Sequence, residues 1–103
     1  VIVENADPGL SYYFTLLQYK ISSRWSPPRI GPGRVERVVV SFKILRSGLI
    51  DELTVDSPSG NKLLDDSAIR AIRDAVPLPP LPNLFRDESL SIQLRFTYIG
   101  EKA

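Results

Sequence analysis

Proline and glycine cut this sequence into short pieces, and the hydrophobic period changes at each cut. Pro27-Pro28 and Gly31-Pro32-Gly33 close a first piece, Pro58-Ser59-Gly60 a second, and Pro77-Leu78-Pro79-Pro80-Leu81-Pro82 a third. Proline lacks a backbone donor and cannot continue a helix or a central strand, so these runs are boundaries. Before the first boundary Leu10, Tyr13, Phe14, Leu17, Ile21 and Trp25 recur at steps of three and four, which predicts a helix over 10–25. After it the period is two. Val38, Val40, Phe42 and Ile44 face one way and Arg37, Ser41 and Lys43 the other, predicting a strand over 35–46. Ser47-Gly48 suits the positive φ angles of a tight hairpin turn, and 49–57 returns with Leu53 and Val55 inward.

Asn61 or a nearby aspartate can cap a second helix running to about Val76, with Ala68, Ile69, Ile72, Ala75 and Val76 as its buried stripe. The proline connector then reads as a rigid extended crossover, in preference to a ligand for an aromatic groove. Its leucines can pack back onto the domain. A last strand over 88–98 shows the cleanest alternation, Leu90, Ile92, Leu94, Phe96 and Tyr98 against Ser89, Ser91, Gln93, Arg95 and Thr97. The expected fold is therefore α+β, in the order α-β-β-α-β, with a three-stranded antiparallel sheet. Its strand order is 2-1-3, and both helices lie on one face. Residues 1–9, ending in Asn5-Ala6-Asp7-Pro8-Gly9, read as a linker tail or helix lead-in, 10–99 as the one domain and 100–103 as a tail.

Chemistry is scarce. With no histidine and no cysteine, the usual general base, the thiol nucleophile and most transition-metal ligands are missing. Asp51-Glu52 and Asp65-Asp66 are adjacent pairs whose side chains diverge on a strand or helix, so neither forms an acid/base couple. No enzyme activity, metal or cofactor is expected. Thirteen basic against twelve acidic residues give no field that selects nucleic acid or an anionic membrane. Lys20, Arg24, Arg29, Arg34 and Arg37 gather near Tyr19 and Trp25, and the element order approaches that of a type II KH domain. The Gly-x-x-Gly loop and the extra helix of that family are absent. Trp25 is read as packing. No apolar run approaches the roughly 20 residues that span a bilayer, so no direct membrane insertion is expected. A chain starting at Val1 with no methionine is expected to be an excised or processed piece.

The edges carry the functional signal. The second strand holds Asp51, Glu52 and Asp56, charges that discourage pairing, whereas the third is long, regular and nearly neutral. Such an edge is either covered by another segment, the lead-in or the tail, or used to take an extended partner. The candidate partner-binding residues are Ser89, Leu90, Ser91, Ile92, Gln93, Leu94, Arg95, Phe96, Thr97 and Tyr98.

Nearly the whole chain resembles the C-terminal domains of the TonB/TolA superfamily of cell-envelope proteins. The resemblance rests on Tyr13 to Ile21 to Trp25 before Pro27-Pro28, Val38-x-Val40-x-Phe42-x-Ile44 and the hairpin Gly48. It continues through Ser57-Pro58-Ser59-Gly60-Asn61-x-x-Leu64-Asp65, Ala68-Ile69-x-Ala71-Ile72, the proline connector and Leu94-x-Phe96-x-Tyr98. Trp25 with the double proline is more similar to the TolA-related branch than to the best-known TonB form. The resemblance implies a periplasmic domain of an inner-membrane-anchored, energy-transducing protein, coupled through its anchor to a motor complex. It would grip an outer-membrane receptor or a TolB-like periplasmic protein by strand addition, as a monomer or weak dimer. A passive scaffold of a trans-envelope complex with a covered edge is the alternative.

Overall fold

The computed structural model describes residues 1–4, 8–29 and 31–100; the turn expected at Asn5-Ala6-Asp7 and the tail at 101–103 lie outside the described residues. Its elements are β1 (Ile2–Val3), α1 (Ser11–Arg24, entered through a 3-10 turn at Pro8–Leu10), β2 (Val35–Leu45), β3 (Ile50–Ser57), α2 (Lys62–Ala75) and β4 (Ser89–Ile99). The sheet is antiparallel with order β1-β4-β2-β3. The expected α+β class, two helices and central β2 are all present. The strand count is not: the sheet has four strands, because Ile2-Val3 pairs with β4 instead of serving only as a lead-in.

Alternation explains β2 and β4. They pair without a register shift from Val35 opposite Ile99 to Leu45 opposite Ser89. Val38, Val40, Phe42 and Ile44 of β2 join Ile92, Leu94 and Phe96 of β4 in the core beneath the helices. Fully burying one such phenylalanine stabilises the fold by about 1.5–3 kcal/mol. Helix α1 supplies Tyr13, Phe14, Leu17 and Ile21 to this core, and α2 supplies Leu64, Ala68, Ala71, Ile72 and Ala75. Asn61 caps α2, its Oδ1 accepting from the N–H groups of Leu63 at 3.0 Å and Leu64 at 3.4 Å. Ile69 and Val76, expected in the buried stripe, are only half-buried. Trp25 packs as expected, edge-on to Phe96 and Tyr98 with ring centroids 5.2 and 6.0 Å away, and donates through Nε1 to Ser67 Oγ at 3.0 Å.

The hairpin turn is longer than a two-residue turn. Leu45 donates to Leu49 O and Gly48 to Leu45 O, so Arg46, Ser47 and Gly48 form the connection. Gly48 is left-handed, at φ +93°, and Ser47 is not among the positive-φ residues. The proline connector docks on this turn: Leu78 donates to Gly48 O at 2.9 Å, Leu81 donates to Arg46 O at 3.3 Å, and both leucines are buried. A Cβ at Gly48 would lie 2.0 Å from the Leu78 carbonyl oxygen. The connector is thus an intramolecular crossover.

Strand β3 departs from the expected pattern. Its register against β2 slips between Val39 and Val40 and again between Ser41 and Lys43, each time with an extra residue on β3. Glu52 stands at φ 53°, its N–H held by Asp51 Oδ1 at 2.9 Å. Val55, expected inward, is 39% exposed, while Leu53 is half-buried against the core. Val55 pairs with the buried Val40, yet β3 is the sheet edge beyond the well-covered central strand, so facing the helices does not bury it.

Candidate functional site

A sheet interacts with a new strand only through the outward-facing backbone groups of its edge, so the two edges define where this fold can act. The β3 edge is bulged twice and bears Asp51, Glu52 and Asp56, features that twist or charge an edge against pairing. The β4 edge is long and unbulged.

Parity along β4 follows from one bond. The Glu4 N–H donates to Gln93 O at 2.8 Å, so the Gln93 backbone faces away from β2. In an antiparallel ladder each residue points both its N–H and its C=O to one side, alternating along the strand. Ser89, Ser91, Gln93, Arg95 and Thr97 therefore face the outer edge, and Leu90, Ile92, Leu94, Phe96 and Tyr98 face β2. The same division holds for side chains: Ile92, Leu94 and Phe96 are buried. Of the ten candidate residues, five are thus presented to the edge and five are committed to the sheet and core.

Strand β1 lies on the middle of this edge, Ile2 opposite Arg95 and Val3 opposite Leu94. Val1 and Val3 pack against the core, whereas Ile2 is 47% exposed. The Val3 N–H points outward and is met from α1 by Gln18 Oε1 at 2.8 Å. Glu4 Oε1 comes within 3.3 Å of Arg95 Nε, which is secluded from solvent and has no aligned hydrogen-bond acceptor. So β1 sits in a slot between β4 and α1, tied by backbone bonds on one side, an amide side chain on the other and an ion pair above. The sequence admits coverage by the lead-in as one possibility but singles out none of Val3, Glu4 or Gln18. The β-branched residues Val1-Ile2-Val3 are compatible with a strand there but form a run too short to specify one.

The face of the sheet away from the helices is polar. Asp56 accepts from Gln93 Nε2, Ser41 Oγ and Thr54 Oγ1, bridging all three long strands. The Gln93 bond, then the Ser41 and Thr54 hydroxyls, hold the Asp56 carboxyl below its ordinary pKa. Lys43 and Glu52 pair nearby at 3.1 Å. Ser41, Lys43, Glu52, Thr54 and Gln93, with Glu4 and Ser91, line a shallow depression of about 790 Å³. It lacks the enclosure of a small-molecule pocket. No group of three or more potential metal ligands occurs among the described residues.

The architecture is two helices over one face of an antiparallel sheet, with a long regular strand near one edge. The sequence matches the family described as TonB C terminal over residues 10–96, and the chain belongs to that family. Domains of this family are protein-interaction domains, not enzymes, and this chain is one of them. Among solved structures it is similar to the C-terminal domain of Helicobacter pylori TonB, at 25% identity and a TM-score of 0.67, covering 93% of this chain and 89% of that one. It shares its fold with TolA domain III bound to a peptide from the N-terminus of TolB, at 24% identity and a TM-score of 0.68, covering 97% and 82%. No curated protein matches the sequence. Among the described residues, no helix is long and apolar enough to cross a membrane.

Proposed function

We propose that this chain is the periplasmic grip of an inner-membrane-anchored TonB/TolA-type transducer, a monomer or weak dimer that holds an extended partner segment as an added strand on β4. The partner is a segment of an outer-membrane receptor or of a TolB-like periplasmic protein, and the anchor couples the domain to a motor complex. One observation carries this reading: β4 is an unbulged edge whose outward groups are met by a resident strand of only two residues. Ser89, Gln93, Arg95 and Thr97 would contribute edge contacts, while Leu90, Ile92, Leu94 and Phe96 hold the strand in place from below. The peptide-bound TolA domain of the same fold supports a protein partner.

Resident β1 also gives the passive scaffold its one supporting observation, since an edge permanently filled by its own chain has no room for a partner. Titrating the isotope-labelled chain with peptides from periplasmic receptor termini and TolB-like N-termini separates the two. Strand addition predicts shift changes along 89–98 together with release of Ile2, Val3 and Glu4. Changes confined to 50–57, or none with any peptide, contradict it.

A further inference from the structure

We infer that the outward face of α1 is a self-association surface: a second copy of this chain docks there, its α1 antiparallel to the first and crossing it near Leu16. This rests on the weak-dimer part of the reading above, whose surface it names, and is independent of strand addition, which needs only one copy. Tyr12 and Tyr19 are each 78% exposed and Leu16 is 38% exposed. Their steps of four and three, continued by Ser23 four residues on, place all four side chains within about 60° of one another at roughly 3.6 residues per turn. The helix fills the core from its other side, with Tyr13, Phe14, Leu17 and Ile21, so this second stripe has no use within the domain. Alternating steps of four and three are the narrow seam of two paired helices.

Charge selects the occupant. Near a two-fold axis each residue meets a copy of its own neighbourhood, so a self-pairing face must avoid charge there. Helix α1 contains no acidic residue, and the seam of Tyr12, Leu16, Tyr19 and Ser23, flanked by Thr15 and Ser22, has no charge of either sign. An acidic partner would find no cation along it, and a basic partner no acid. The exposed face of α2 differs, bearing Asp66, Arg70, Arg73 and Asp74. The two cations of α1 lie off the seam: Lys20 Nζ donates to Pro77 O, and Arg24 is in the last turn. Antiparallel pairing holds the two Arg24 side chains at opposite ends of the contact, whereas parallel pairing would set them side by side. Crossing near Leu16 packs the two leucines together and lays each Tyr12 beside the partner's Tyr19, with the phenol oxygens wet at the rim. Two tyrosines and a leucine bury roughly 300–500 Å² per copy, short of the roughly 800 Å² per partner of a standard interface. The dimer is therefore weak, with a Kd of about 0.1–1 mM. It forms where copies are held close, because tethering raises their effective concentration. The seam faces away from the sheet, so the β4 edge of each copy stays outside the contact.

The test is sedimentation equilibrium of the 103-residue chain, with amide shifts followed over the same concentrations. The parent should show a monomer–dimer equilibrium, with shifts moving at Tyr12, Leu16 and Tyr19 and not along 50–57 or 89–98. Tyr12→Glu and Tyr19→Lys should each weaken association, yet an equimolar mixture of the two should associate about tenfold more tightly than either alone. Only antiparallel pairing brings the new acid beside the new base while leaving one Tyr12 against the partner's Tyr19. In this cysteine-free chain, Leu16→Cys should oxidise to a linked dimer about tenfold faster than Ser22→Cys on the flank. Dispersed amide spectra establish that each variant is folded. A monomer at every concentration, a dimer whose shifts lie elsewhere, a mixture no tighter than its components or equal oxidation of the two cysteine variants overturns the inference. Strand addition, read by peptide titration, stands or falls separately.

Discussion

The Glu4 N–H reaches the Gln93 carbonyl at 2.8 Å, and that bond orients the backbone of all of β4. With Gln93 facing outward, the polar alternate residues face the edge, and the apolar residues that fill the core also bond to β2. One set of positions is therefore spent on stability and the other is left for recognition. This separation lets edge contacts vary without disturbing the core.

Gly48 is required by geometry. It combines φ +93° with a Leu78 oxygen 2.0 Å from where a Cβ would stand, and its carbonyl accepts from Leu78. Gly48→Ala should destabilise the fold by about 2–3 kcal/mol, through left-handed strain and displacement of the proline connector. Urea midpoints measure this; a loss within about 0.5 kcal/mol, as for an ordinary surface substitution, would refute the docking of connector on turn.

Tyr13 gives a pH signature. Its hydroxyl donates to Pro79 O at 2.7 Å, and burial pushes its pKa from 10.0 up to about 12. Between those values the unfolded chain has released the phenolic proton while the folded chain retains it, so stability from this group is constant below pH 10 and falls toward pH 12. Tyr13→Phe should cost about 1 kcal/mol near neutral pH for the lost bond. Its urea midpoint should also decline less steeply than the parent's over the alkaline window. Parallel declines would contradict the assignment.

Asn61 and Asp65 organise the start of α2. Asn61 caps the first turn, and Asp65 Oδ1 accepts from the N–H of Ser59 at 3.0 Å and its hydroxyl at 2.8 Å. Asn61→Ala should cost about 1 kcal/mol, whereas Asn61→Asp, which keeps the acceptor, should cost less. Thermal melts of the two variants check the order; equal losses would deny the capping role.

Elements whose hydrophobic period runs for several residues were legible in the sequence: α1, α2, β2 and β4 fall close to where periodicity predicts them. Strand β1 was not, because two residues are too few to show a period and their pairing depends on a strand far along the chain. The bulges of β3 were hidden for a different reason. Glu52 adopts a left-handed conformation that glutamate does not favour, so the residue carries no local sign of it. Val55 reads as core because alternation gives its face but not its place on an edge strand. At the candidate site, the β4 edge could be named from its lack of charge, but its parity required the Glu4 to Gln93 bond. Gln18 lay hidden on a helix flank, where a glutamine ordinarily meets solvent.

The most direct measurement of strand addition is amide exchange along β4 in the free chain and with a bound receptor or TolB-like peptide. Leu90, Ile92, Leu94 and Phe96 should exchange slowly in both states, since they bond to β2, while Thr97, beyond the reach of β1, should exchange fast in the free chain and slow in the complex. Ile2 and Val3 should lose protection as the peptide takes their place. A complex in which Thr97 stays fast and β1 stays protected would contradict partner binding at this edge.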